Sequence, residues 1–121
     1  MEGHKDKVTL GKAGEDAAVR YLQGKRYKIV ERRVCLLRGE IDIIAYDRET
    51  LVFAEVKTRT SRAFGFPEES VTPSKQEQIR KIAQTYLSRH RLENVPCRFD
   101  VLSVTISDDQ QVLIRHLENA F

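Results

Sequence analysis

Asp42, Glu55 and Lys57 lie in apolar surroundings, at a spacing that suits phosphodiester hydrolysis. The stretch Gly39-Glu40-Ile41-Asp42-Ile43-Ile44-Ala45 is followed closely by Leu51-Val52-Phe53-Ala54-Glu55-Val56-Lys57. Both are rich in Ile, Val and Phe, which predicts two strands. Side chains alternate along a strand, so Leu51, Phe53, Glu55 and Lys57 share one face. That face begins apolar and ends in an anion and a cation, a change of chemistry expected where a site opens at the rim of a sheet. The short polar link Asp47-Arg48-Glu49-Thr50 predicts a hairpin. Asp42, on the face of Glu40, Ile44 and Tyr46, then comes close to Glu55, because facing residues of neighbouring strands sit ~5 Å apart.

Two carboxylates that close repel unless something neutralises them. A hard dication does so. Mg²⁺ or Mn²⁺ would take oxygen ligands from one or two carboxylates, water and substrate phosphate, and would polarise a phosphodiester and acidify bound water. Lys57 would orient the attacking water or stabilise charge in the transition state. A general-base role would need a depressed pKa, which a nearby cation favours and the carboxylates oppose, so the electrostatic role is the expectation. The competing reading of Glu55 and Lys57 is an ordinary surface ion pair, worth little.

Other polar residues border this constellation. Glu15 flanks the apolar arc of a helix beside Gly11, Ala18 and Leu22, and either points at the sheet's rim or reaches out to water. Lys75 and Gln76 open a second helix, where they either meet a phosphate or solvate and cap the first turn. Arg59 and Arg62 are expected on a loop just past Lys57, suited to backbone phosphates. Arg98 and Asp100 read as a structural ion pair leading into an apolar strand.

The elements that must position these groups follow from periodicity. Leu10, Ala13, Gly14, Ala17, Ala18, Tyr21 and Leu22 predict a helix over 9–23, with Gly24 as its stop. Strands are expected over 27–35, 40–46 and 51–57. Periodicity is lost from Arg59 to Val71, with Phe64-Gly65-Phe66-Pro67 loop-like. Ile79, Ile82, Ala83, Tyr86 and Leu87 define a second helix fading near Arg91. Its start is open between Thr72 as cap with Pro73 in the first turn and a capping box over Ser74-Lys75-Gln76-Glu77. Strands over 97–106 and 111–116 complete the order helix, three strands, helix, two strands. The helical connection implies a parallel, right-handed crossover, hence an α/β fold with a mixed five-stranded sheet flanked by helices.

Length and composition set bounds. At 121 residues the chain reads as a single domain over 1–121. A net charge of +3 permits a polyanionic partner. No apolar run approaches ~18 residues, and Met1–Lys7 lacks the apolar region of a signal peptide, which points to the cytoplasm. The two cysteines and three histidines are scattered, with no zinc spacing, and read as structural or solvated groups. There is no phosphate-binding glycine loop and no Gly-x-Ser-x-Gly.

Gly14-Glu15, Gly39-Glu40-Ile41-Asp42, Phe53-Ala54-Glu55-Val56-Lys57-Thr58-Arg59, Phe64-Gly65, Lys75-Gln76 and Arg98-Phe99-Asp100-Val101 together resemble the YraN family, also labelled UPF0102. The resemblance covers nearly the whole chain. That family is similar to the PD-(D/E)XK nuclease superfamily and, within it, to archaeal Holliday junction resolvases. The resemblance implies a restriction-endonuclease-like core. It assigns Asp42 to the metal-binding aspartate, Glu55 and Lys57 to the Glu-x-Lys pair, Glu15 to a first-helix glutamate acting with them, and Gln76 to a helix glutamine near the site. The sequence departs from the family pattern at Arg33, where Asn is usual, and at Cys35. The expectation is a Mg²⁺- or Mn²⁺-dependent endonuclease on DNA, branched junctions included, working as a homodimer by analogy. The alternative is a nucleic-acid-binding module with the nuclease fold and no efficient catalysis of its own.

Overall fold

A computed structural model describes the chain over residues 3–61 and 71–121, with side chains from Thr9 onward. Arg62 and the Phe64-Gly65 pair lie outside the described residues. The elements are α1 (Gly3–Gly24), β1 (Lys28–Leu36), β2 (Gly39–Asp47), β3 (Thr50–Thr60), α2 (Pro73–Arg89), β4 (Cys97–Ile106) and β5 (Val112–Leu117). They form the expected α/β fold, with one mixed sheet in the order β1-β2-β3-β4-β5. The β3–β4 pair is parallel and the others antiparallel. No helix among the described residues is long and apolar enough to cross a membrane.

The sheet is buried on both sides, with one helix per face. Ala17, Ala18, Val19 and Leu22 of α1 pack on Ile43, Ala45, Val52, Ala54, Leu102 and Val104. Ile79, Ile82, Ala83 and Tyr86 of α2 pack on Ile41, Ile44, Leu51, Phe53 and Val101. The alternation Leu51/Phe53 against Val52/Ala54 is the period-two rule at work. Gly14 lets α1 approach β3, for a Cβ there would stand 1.9 Å from Thr58 Oγ1. Gly39 does the same for α2, whose Gln78 and Ile82 side chains occupy the space a Cβ would need.

Helix ends settle what periodicity left open. Thr72 is the cap of α2, accepting from the Lys75 N–H at 3.3 Å, and Pro73 follows in the first turn. The stop of α1 differs from expectation. Gly24 is its last helical residue, and the left-handed position falls on Arg26 at φ 70°. The Tyr27 N–H donates to Leu22 O and the Arg26 N–H to Gln23 O, both at 2.9 Å, which closes the helix as a Schellman motif. Burial of Tyr27 beside Leu22 drives this ending and carries Arg26 through a conformation glycine would adopt more cheaply.

Two further departures bear on the site. β3 runs on to Thr60, so Arg59 lies in a strand, paired with Thr105, and not on a loop. The β1–β2 turn is a two-residue hairpin closed by Leu36 and Gly39, in which Leu37 and Arg38 both have positive φ, 52° and 60°. Each non-glycine residue in that region costs about 1 kcal/mol.

Candidate active site

The β2–β3 ladder runs from Asp47/Thr50 only to Ile43/Ala54. Both strands continue beyond that point. β2 stays paired with β1 as far as Gly39, and β3 stays paired with β4 as far as Thr60. The sheet therefore forks, and Asp42 is the first residue past the split. Its carboxylate Oδ2 accepts the Val56 N–H at 2.8 Å, taking up a backbone donor that the ladder no longer serves. Strict alternation also fails here. Ile41 and Ile44 pack on the α2 side while Ile43 and Ala45 pack on the α1 side. Arg33 stands opposite Asp42, between the Arg32/Ile43 and Val34/Ile41 pairs, with φ at 54°. Asp42 thus leaves the face it would share with Ile44 and Tyr46 and turns into the fork.

A cavity of about 510 Å³ fills the fork, lined by Leu10, Gly11, Glu15, Arg33, Glu40, Asp42, Val56, Lys57 and Thr58. Glu55 is buried beside it. Its Oε2 meets Lys75 Nζ at 3.2 Å and Lys57 Nζ at 3.7 Å. Its Oε1 is buried with no hydrogen-bond partner among the described residues. Burial and the charge of Glu55 push the Asp42 carboxyl up to about 8, with Glu40 adding to the rise and the Val56 N–H opposing it. Asp42 is thus held protonated beside the Glu55 charge, the state expected of an acid facing another acid without a neutralising cation. Burial and the neighbouring Lys75 lower the Lys57 pKa, against the pull of Glu55. Burial would also lower Lys75, but its contact with Glu55 outweighs that and raises it.

Glu15 is buried and lines the same cavity as Asp42 and Lys57. Its carboxylate is held by arginines: Oε1 accepts from Arg32 Nη2 at 2.8 Å and Oε2 from Arg33 Nε at 3.3 Å. Among the described residues no group of three or more His, Cys, Asp or Glu side chains is gathered tightly enough to hold a metal. What the fork provides is an open pair, Asp42 and Glu55, with one buried oxygen lacking a partner. That donor set suits a hard dication completing its shell with water and phosphate oxygens.

The remaining sequence candidates divide. Lys75 joins the cluster through Glu55. Gln76, one residue on, turns back to donate to Val71 O at 3.1 Å, fixing the helix start. Arg59 is half-buried near the end of β3. Glu40, Arg33 and Thr58 are cavity residues that sequence reasoning did not select; the signal available for Glu40 was its place two residues before Asp42 on one strand. Arg98 and Asp100 form the expected ion pair, at 2.9 and 3.0 Å, toward the other end of β3. Arg98 also reaches Asp47 at 2.9 Å and Tyr27 Oη at 2.7 Å. His116, one of the three scattered histidines, has a buried side chain with Nε2 2.7 Å from Asp100 Oδ2.

These features define a three-layered α/β protein whose sheet splits around an acidic and basic cluster, with α1 and α2 on either side of the split. Residues 14–104 match the family described as "Uncharacterised protein family UPF0102". The chain belongs to that family. The UPF0102 protein of Geotalea daltonii is 47% identical over 120 residues, which cover 99% of this chain and 94% of that protein. Its counterpart in Geobacter metallireducens is 50% identical over 113 residues, 93% of this chain and 92% of its own length. That of Symbiobacterium thermophilum is 46% identical over 112 residues, 93% and 95% of the two chains. The matched segment takes in Glu15, Asp42, Glu55, Lys57 and Lys75.

Proposed function

We propose that the protein is a Mg²⁺- or Mn²⁺-dependent endonuclease that hydrolyses phosphodiester bonds of DNA, with branched junctions as the first substrates to test. One observation carries the reading: Asp42 and Glu55 meet in the fork, and Glu55 Oε1 is buried without a partner among the described residues. An unpartnered buried carboxylate oxygen is costly unless a cation or proton meets it.

Asp42 and Glu55 would hold the ion, which supplies charge neutralisation at the scissile phosphate and a more acidic water. Glu15, at the cavity wall, is the third acid the family resemblance assigns. Its salt bridge to Arg33 holds that guanidinium group at the wall, where it meets phosphate oxygens. Lys57 faces the cavity from the strand carrying Glu55 and stabilises the negative charge that grows on the phosphoryl oxygens. Lys75 shares Oε2 of Glu55 with Lys57 and orients that carboxylate. Arg59 and Arg62, following on from the site, and Gln76 beside Lys75 are proposed to steady the DNA backbone.

A second reading, a DNA-binding module without efficient catalysis, is favoured by the pairing of Glu15 with two arginines, which leaves only Asp42 and Glu55 to meet an ion where three acids were expected. One experiment separates them. Purified protein is screened on single-stranded, duplex, flap and four-way DNA with Mg²⁺, Mn²⁺ or EDTA. Cleavage that needs the metal and is lost in Glu55→Gln supports the enzyme. Salt-sensitive binding with no cleavage under any condition supports the module, and cutting that survives Glu55→Gln removes the site altogether.

A further inference from the structure

A second groove, about 530 Å³, runs along the outer side of α2 and is lined by Leu37, Lys81, Gln84, Thr85, Ser88 and Arg89. Its lining is neutral or cationic throughout. Arg32, Arg98, Lys57 and Lys75 are all tied to carboxylates. Lys81, Arg89 and the neighbouring Arg38 have no such partner among the described residues.

The groove's other wall is the β1–β2 turn, which is unusual. A two-residue hairpin with positive φ at both positions favours Asn-Gly. Here it carries Leu37 and Arg38, and Leu37 is 54% exposed. The chain bears backbone strain in order to present a bulky apolar side chain and a guanidinium to solvent. Gly39, seated against Gln78 and Ile82, fixes the turn to α2. Glu40, the next residue, already lines the fork. Leu37 precedes Glu40 by three residues around the turn, so the two lie at most about 10 Å apart, within about three base steps of a DNA strand at ~3.4 Å.

We propose that this groove is the track for the DNA strand entering the fork. Arg38, Lys81 and Arg89 hold its backbone phosphates, and Leu37 is a wedge that packs against a base face and opens the stack. The inference rests on the fork being a DNA-cleaving site. An acidic peptide would satisfy the cations equally well, but it has no use for a strained apolar wedge.

The test is fluorescence anisotropy of a labelled oligonucleotide with a duplex-to-single-strand boundary, in EDTA, across a salt series. Lys81→Ala with Arg89→Ala should reduce the slope of log affinity against log salt by about 1.4 to 1.8, two phosphates' worth. Leu37→Asn with Arg38→Gly installs the preferred turn, so Tm should rise while affinity falls about tenfold. A higher Tm with unchanged affinity would make the tip a strained turn and nothing more. An unchanged slope in the double alanine variant would also overturn the track. So would absence of DNA binding by the wild-type protein, or displacement of the DNA by polyglutamate as effective as that by unlabelled DNA. Slope changes as expected in a protein that cuts nothing with Mn²⁺ would leave the track standing and remove the nuclease, while cutting with an unchanged slope would do the reverse.

Discussion

Replacing Asp42 by asparagine should make the protein more stable at alkaline pH. Asp42 titrates near 8 in the folded chain against an ordinary 3.8, through burial first and the charge of Glu55 second. Between those values the folded protein holds a proton that the unfolded chain has released. The raised pKa therefore contributes stability in full below about pH 4, and that contribution is lost as pH rises through about 8. The rise of roughly four units, at 1.36 kcal/mol per unit, sets a ceiling of about 5 kcal/mol on the loss. Water in the cavity and the two lysines on Glu55 screen the pair, so about 2 kcal/mol is expected in practice. In Asp42→Asn the amide oxygen still accepts the Val56 N–H, and nothing ionises. Urea unfolding followed by circular dichroism, in EDTA from pH 4.5 to 9, should give curves that coincide in acid and diverge by about 2 kcal/mol in base, the variant being the more stable. Mg²⁺ added at high pH should restore the wild-type protein and leave the variant unmoved. Parallel pH profiles for the two proteins would refute the argument, because they would mean that burial and the Glu55 charge do not hold the proton on Asp42.

Gly14→Ala should cost about 2 kcal/mol in thermal unfolding, because its methyl group would collide with Thr58 on β3. Adding Thr58→Ala should recover most of that loss. Thr72→Ala removes the cap of α2 and should cost about 1 kcal/mol by chemical denaturation. Asp100→Asn takes the carboxylate from His116 and one of the carboxylates from Arg98, which keeps Asp47, and should destabilise by about 3 kcal/mol at neutral pH. Burial alone would raise the Asp100 carboxyl, but His116, Arg98 and the Asn119 N–H hold it at about 2. Its contribution is thus present above about pH 4 and lost as pH falls through about 2, so an acid titration should show the variant's deficit shrinking at the acid end.

The order of elements was legible because each has a short-range signature. Apolar stripes recur at helical spacing in α1 and α2, and the Asp47–Thr50 link is a plain hairpin turn. Glu55 and Lys57 stood out for the same reason, as a charged end on an apolar strand face. The fork was not legible. The end of a ladder is decided by two strands diverging to pack under different helices, and no residue near Ile43 or Ala54 announces it. Strict alternation consequently kept Asp42 on the face of Ile44 and Tyr46. The pairing of Glu15 with Arg32 and Arg33 was hidden too, since it depends on how α1 lies across β1. His116 looked isolated because its partner, Asp100, sits on a neighbouring antiparallel strand. The start of α2 stayed ambiguous because Thr72-Pro73 and Ser74–Glu77 both satisfy local rules, and the tie was broken by burial of Val71 just ahead of the cap.

The early end of the β2–β3 ladder sets two demands against each other along one seam. Zipping the strands by a further pair would add backbone hydrogen bonds and cohesion, yet it would draw Asp42 away from the Val56 amide and shut the hollow in which the acids meet. Selection or engineering for robustness alone would close that gap, so variants that grow tougher by tightening it should be the ones that lose whatever chemistry it houses.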